Sequence, residues 1–361
     1  MNYTILSYMD EELLKKIGKQ GSETDIRYFN RKSENIVFTF LLPFKFPERI
    51  APLLLSTSVA DAAIVQVNQL DRDLGEVLLA LDAFNIEKGI FLTDQDKIGS
   101  IKALIKNTSL SQYEIKENSY ENALDFLSSF KERRAEGEGY IVADQVFPVK
   151  GVGTVALGFV KGGRINKHDE MRVYPGPKMT EIRSIQVQDV DVEFADIGTR
   201  VGVALKGLNP DDVPKGAILA SHERFMTSSS IKIQIRKNPA IRDSLYNNQK
   251  IQIYTNFGKY PATVSDVSGD KILVDFEQEI ALTQDVYAIS PKDIWWRKSH
   301  LMKIDKWHDL ERSLEKLQPF YDLMNRIMSL DNEKVVRDHS LKYIKDPEFY
   351  LDAGSGPGTM V

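Results

Sequence analysis

Three consecutive carboxylates stand just behind the first strand-like segment, in Ser7-Tyr-Met-Asp-Glu-Glu12. Acids so placed can cap a helix start or gather a cation, and they repel an anion. The run Gly-x-x-x-x-Gly-Lys-Ser/Thr, whose backbone N–H groups and lysine cradle phosphates, does not follow that strand. All five histidines lie at 168 or beyond and are scattered. There is no His-Glu-x-x-His, no Gly-x-Ser-x-Gly and no Gly-x-Gly-x-x-Gly after a strand. With no cysteine, thiolate catalysis, disulfides and cysteine-type zinc sites are excluded. His168-Asp-Glu170 reads as a solvent-facing turn. No catalytic residue and no metal site are expected. What remains is binding chemistry. Trp295-Trp-Arg-Lys-Ser-His300 sets aromatics beside cations, a pattern that stacks on nucleic acid or anchors a tail to its own domain.

The elements that must carry these groups fall into distinct stretches. At 361 residues, 42% hydrophobic and 27% charged, the chain is an ordinary globular sequence of two or three domains. No run of about 18 apolar residues exists, so no membrane span is expected. The N-terminus lacks a basic lead and a long apolar run, which points to a cytoplasmic protein. A net charge of −5 argues against indiscriminate nucleic-acid binding, though not against a local basic face.

Residues 1–133 alternate strand-like and helix-like segments. Strands are predicted at Tyr3–Ser7, Ile26–Phe29, Ile36–Leu41, Ala60–Val67, Gly89–Leu92 and Tyr113–Lys116. Helices are predicted at Asp10–Ile17, Leu74–Phe84, Ile98–Lys106 and Tyr120–Phe130. Such alternation implies a mostly parallel sheet covered on both faces. Residues 131–139 are charged and contain glycine, as a linker does. From Asp144-Gln-Val-Phe-Pro-Val-Lys-Gly-Val-Gly-Thr-Val-Ala-Leu-Gly158 onward, short apolar runs are broken by glycines. The pattern continues through Gly162–Tyr174, Glu181–Gln186, Gly198–Gly207 and Lys215–Leu219. Short strands at regular spacing predict a small closed barrel over 140–220. Ser221–Ser230 is polar and reads as a second linker. A second β-domain is expected over 228–292, with turns at Asn247-Asn248 and Ser268-Gly-Asp270. In 293–361, apolar residues from Ile304 and Trp307 to Met328 recur at helical spacing, interrupted by Pro319, before a glycine-rich end.

The stretch from Tyr140 to Leu219 resembles the second domain of translational GTPases of the elongation factor Tu family. The SelB branch is the nearest, on Arg183-Ser-Ile-Gln-Val and the Gly198–Gly207 strand. The resemblance implies a P-loop-GTPase-like α/β domain followed by two antiparallel β-barrels, here with a helical C-terminal extension. It also implies four nucleotide motifs. The phosphate loop would sit at Ser7–Glu12, where neither its glycines nor its lysine is present. The Asp-x-x-Gly run followed by histidine would fall around Phe40–Phe46, where its aspartate and glycine are missing. The guanine reader Asn-Lys-x-Asp appears as Thr93-Asp-Gln-Asp96, with only Asp96 in register. Asp96 is thus either a vestigial base contact or the N-cap of the helix from Ile98. A switch threonine has no firm place, Thr24 being a poor candidate. This is the pattern of a degenerate G domain of archaeal type, with no cofactor expected.

In the same family the second domain receives the aminoacylated 3′ end of tRNA. The matching positions are Asp144, Gln145 and Phe147, with Gln186, Gln188 and Asp189 on the facing loop. An aromatic face can stack on a base while amides and carboxylates hold ribose hydroxyls. The alternative is a barrel-edge Phe147 with solvated neighbours. Arg183, Arg200, Lys206 and Lys215 could contact phosphate, and Asp189, Asp191, Glu193 and Asp196 would oppose it. The expectation is a non-catalytic translation-associated protein whose partner is tRNA or the ribosome. Two alternatives stay open. One is an active GTP- and Mg-dependent factor delivering a specialised aminoacyl-tRNA. The other is a regulatory protein docking a partner through its C-terminal helix.

Overall fold

The computed structural model describes residues 2–33, 35–133, 135, 137–221, 225–237, 245–282, 287–289 and 302–307. The first 133 residues build β1 (Asn2–Tyr8), α1 (Glu11–Ile17), β2 (Lys19–Glu23), β3 (Arg27–Ser33), β4 (Ile36–Leu42) and α2 (Ala51–Val59). After these come β5 (Ala62–Val67), α3 (Arg72–Ala83), β6 (Gly89–Thr93), α4 (Ile98–Ile105), β7 (Glu114–Glu117) and α5 (Tyr120–Ser128). The seven strands form one sheet in the order β2-β3-β4-β1-β5-β6-β7. β4, β1, β5, β6 and β7 run parallel, and the β2–β3 hairpin adds an antiparallel edge.

The two-residue side-chain period splits each central strand between two cores. On β5, Ala63, Val65 and Val67 face one cluster with Leu53, Leu54, Val77 and Leu81. Ala62 and Ile64 face the other, with Leu14, Ile17, Phe126 and Leu127. β1 is hydrogen-bonded to β4 on one side and β5 on the other. The chain therefore reverses direction across the sheet at β1, and the crevice beyond the carboxyl ends of these strands is where such folds bind ligands.

The second region comprises β8 (Tyr140–Val149), β9 (Gly153–Lys161), β10 (Arg164–Asn166), β11 (Glu170–Tyr174), β12 (Met179–Val187), β13 (Val190–Val192), β14 (Phe194–Asp196), β15 (Arg200–Leu205) and β16 (Ile218–Ala220). Its main sheet runs β11-β16-β8-β9-β15-β12-β13, and a further β11–β12 pairing returns the order to its start. The third region comprises β17 (Met226–Lys237), β18 (Lys250–Thr255), β19 (Gly258–Ser268), β20 (Lys271–Leu282), β21 (Tyr287–Ile289) and β22 (Met302–Trp307). These close as β17-β20-β19-β18-β21-β22.

Four expectations change. β2 was not foreseen, because its five residues are all exposed and carry no apolar alternation. α2 lies where no element was expected, with Pro52 in its first turn, a position that tolerates the missing N–H. The polar stretch expected to link the two β regions belongs from Met226 onward to β17, paired with β20 from Met226↔Leu282. Ile304 and Trp307, expected on a helix, lie in β22, which pairs with β21. The rest of the expected C-terminal helix lies outside the described residues, as does Trp295-Trp-Arg-Lys-Ser-His300.

The regions are braced together. Asp61 accepts from Arg133 Nη2 at 3.0 Å and from the Thr4 N–H at 2.8 Å, and Lys161 Nζ of β9 lies 3.5 Å away. Burial pushes the Asp61 carboxyl up, but Lys161 and Arg133 outweigh it and hold it below its ordinary value. Arg133 also donates to the Asn2 carbonyl at 2.8 Å, so the chain is pinned to the first region at Arg133. Gly198, at φ +82°, passes so near β1 that a Cβ would stand 2.1 Å from the Asn2 carbonyl oxygen. Val142, Phe159, Tyr254 and Phe257 join the first region's core cluster, so one apolar body runs through all three regions.

Candidate functional sites in two clefts

The first cleft, of about 390 Å³, lies at the crevice beyond β1, β4 and β5. Its floor is Tyr8, Met9, Leu42, Pro43, Phe44 and Phe46, and its rim carries Asp10, Glu11, Asp71 and the amides of Gln66, Asn68 and Gln69. No lysine or arginine lines it. Only Met9 and Asp10 separate β1 from α1, which leaves no length for a phosphate-wrapping loop. The Asp10 N–H, at the start of α1, already donates to Gln66 Oε1 at 2.7 Å. The Asp10 carboxylate in turn accepts from Gln66 Nε2 at 3.0 Å. Glu11 is hydrogen-bonded by Lys15 at 3.0 Å and by Arg27, which together hold its carboxyl below its ordinary value. Arg27 stacks on the Phe44 ring at 3.3 Å and also pairs with Glu23. Asp71 caps α3 through the Leu74 N–H at 2.9 Å. Burial, then the charges of Asp71 and Asp73, push the Tyr8 hydroxyl up to about 12.

These groups do not fit a nucleoside triphosphate. At an effective dielectric near 20, each carboxylate about 4 Å from a phosphate charge costs on the order of 4 kcal/mol. The N–H that would face phosphate is bonded to a side chain of the protein. Asp96 does not line this cleft. It sits in a short turn, Gln95–Lys97, with its side chain 77% exposed and 3.8 Å from Lys97 Nζ. The N-cap position of α4 is Lys97, so Asp96 is not the expected cap. Among the described residues, no group of three or more His, Cys, Asp or Glu could hold a metal.

The second cleft, of about 600 Å³, opens between the first and second regions. One wall is the hairpin and its neighbours: Lys19, Gln20, Ser22, Asn30, Lys32 and Thr39. The other comes from β12, β15 and the β12–β13 turn: Gln186, Gln188, Asp189, Thr199 and Arg200. Three cations face one carboxylate. Gln188 and Asp189 form the turn with φ of +50° and +62°, conformations that cost a residue with a side chain about 1 kcal/mol or more each. Gln186 Nε2 donates to Asp191 at 3.0 Å across the same hairpin.

Of the six positions matched to a tRNA end, the structure gathers Gln186, Gln188 and Asp189 here and places the others elsewhere. Gln145 and Phe147 do not line the cleft, and Phe147 stands 37% exposed along β8. Asp144 is not an open ligand: it is 2% exposed. A β-bulge between Ala143 and Gln145 leaves it out of register and turns it inward. There it accepts from the Tyr28 hydroxyl at 2.8 Å and from Arg200 Nη2 at 3.2 Å. Arg200 also stacks on the Tyr28 ring at 3.9 Å and donates to Ser22 of the hairpin at 3.1 Å. Burial and then Asp144 push the Tyr28 hydroxyl well above its ordinary value.

The expected phosphate contacts change likewise. Lys206 is taken by Glu181 at 2.6 Å, and Lys215 lies over the Phe257 ring at 5.2 Å. Neither they nor Arg183 line the cleft, whereas Arg200 does. Of the opposing acids, Glu193 and Asp196 pair with Lys167 and Arg164. Lys19 and Lys32 were missed because nothing in the sequence near them signals a site.

The comparisons agree with this architecture. The chain is 35% identical over 269 residues to the uncharacterized protein MJ0325 of Methanocaldococcus jannaschii, covering 74% of this chain and 87% of that one. It is 24% identical over 297 residues to the selenocysteine-specific elongation factor of the same organism, covering 75% of this chain but only 63% of the factor. The crystal structure of elongation factor SelB from Methanococcus maripaludis with the GTP analogue GppNHp superposes with a TM-score of 0.69 at 21% identity. That match covers 86% of this chain and 80% of that one. No protein-family model matches. The chain belongs to the translational GTPase superfamily as a SelB-like member of the elongation factor Tu family, together with MJ0325.

Proposed function

We infer that this protein is a translation-associated binding module that holds the end of an RNA, a tRNA or a ribosomal element, in the cleft between its first two regions. It does so without a GTP switch: it neither binds nor hydrolyses nucleotide. The observation that carries this reading is the contrast in lining charge. The lining of the crevice at the head of the sheet carries Asp10, Glu11 and Asp71 and no lysine or arginine, while the lining of the cleft between the regions carries Lys19, Lys32 and Arg200 against Asp189. Likeness to SelB supports the translational setting. Equilibrium dialysis with GTP and Mg²⁺ tests the nucleotide half, and no binding is expected at about 100 μM nucleotide, since each added carboxylate contact opposes it. Micromolar affinity with turnover would overturn it. The chain would then be a GTP-dependent factor delivering a specialised aminoacyl-tRNA, a reading favoured by its likeness to a SelB bound to a GTP analogue.

A further inference from the structure

We propose that the β2–β3 hairpin is a phosphate-contacting wall, with Lys19 and Lys32 neutralising the backbone of a single-stranded RNA end lying in the second cleft. The proposal rests on the RNA-binding reading above and adds to it the residues that grip the strand. β2 pairs with β3 so that Lys19 stands opposite Asn30. Lys32 is two residues further along β3, on the same face as Asn30. The two lysines are therefore diagonal neighbours, about 7 Å apart, and both line the cleft. No carboxylate among the described residues lies within ion-pair distance of either one, whereas Lys15, Lys97, Lys161, Lys167 and Lys206 are all paired. Two cations with no ion-pair partner among the described residues, in a cleft whose lining holds one carboxylate, Asp189, form a local anion-attracting field. The facing Gln188 amide, and the Gln186 Oε1 whose Nε2 is held by Asp191, can bond sugar and base edges, leaving the charge to the hairpin. The Ser22–Arg200 hydrogen bond and the burial of Tyr28 fix that wall against the second region, so the strand meets a preformed surface.

The test measures affinity of the full chain for a fluorescent RNA hairpin with a four-nucleotide single-stranded 3′ end, over a series of KCl concentrations. Each phosphate neutralised on a single strand contributes about 0.7 to the slope of log affinity against log salt. The Lys19→Gln/Lys32→Gln variant should lose about 1.4 from that slope, which is about 25-fold weaker binding at about 0.1 M salt with convergence near 1 M. A Lys102→Gln/Lys106→Gln control, in α4 and at its C-cap, outside the cleft lining, should keep the wild-type slope. Wild-type binding with an unchanged slope in the first variant overturns the hairpin's role and leaves the RNA-binding reading standing. Absence of wild-type binding overturns both. Full competition by inorganic phosphate at millimolar concentration would identify a free-anion site and would also overturn the proposal.

Discussion

The two clefts are built from the same kinds of residue and put them to opposite uses. In the crevice at the head of the sheet, every acid is engaged by the protein itself. Asp10 is held by Gln66, Glu11 by Lys15 and Arg27, and Asp71 by the first turn of α3. In the cleft between the regions, Lys19 and Lys32 have no ion-pair partner among the described residues, and one amide, Gln188, stands beside Asp189 on a turn with left-handed backbone. In the first cleft the acids are all taken up by the protein's own contacts, whereas the two hairpin lysines of the second are not. Substitutions in the first should therefore cost stability, and those on the hairpin wall should cost binding alone, within about 0.5 kcal/mol of wild-type stability.

The largest effect is expected where the second cleft meets the core. Asp144→Ala strands the Tyr28 hydroxyl and the Arg200 guanidinium in a buried place, at a cost of about 3 kcal/mol measured by urea denaturation. A loss below about 1 kcal/mol would show that the carboxylate is not a brace. In the first cleft, Asp71→Ala removes the α3 cap and should cost about 1 kcal/mol while leaving RNA affinity unchanged. A change in RNA binding would erase the division between the clefts. The smallest effect lies away from both. Lys206 and then His168 hold the Glu181 carboxyl down at about 2, against an ordinary 4.5. A depressed carboxyl contributes stability above its unfolded value, lost as pH falls through the folded one. The difference in stability between wild type and Glu181→Gln should therefore shrink as pH is lowered from about 4.5 to about 2. A constant difference across that window would mean the Lys206 contact does not persist in solution.

How much of this was legible in the sequence depended on how local the cause was. The alternation of strands and helices announced a covered sheet because each central strand buries both faces. The turns at Asn248 and Gly269 announced themselves because both residues adopt positive φ, which Asn and Gly accept most readily. β2 was silent because an exposed edge strand needs only backbone pairing, and backbone pairing leaves no pattern in side chains. Asp144 was visible as a polar residue in the right place but not as a buried one. Its burial follows from a bulge in β8 and a partner, Tyr28, 116 positions away. Asp96 stood in register with a nucleotide motif, yet the turn that displaced it from the helix cap is set by Asp94 and Lys97, bonded at 2.5 Å. Residue type predicted which groups could do chemistry, and non-local packing decided which were left free to do it.

The apolar body shared by Leu53, Val142, Phe159, Tyr254 and Phe257 has one more consequence. Proteins made of beads on a string can be trimmed, shuffled or proteolysed at their joints with each bead surviving. Here a cut near residue 135 would lay bare greasy flanks on both halves, so neither half is expected to stay soluble without the other.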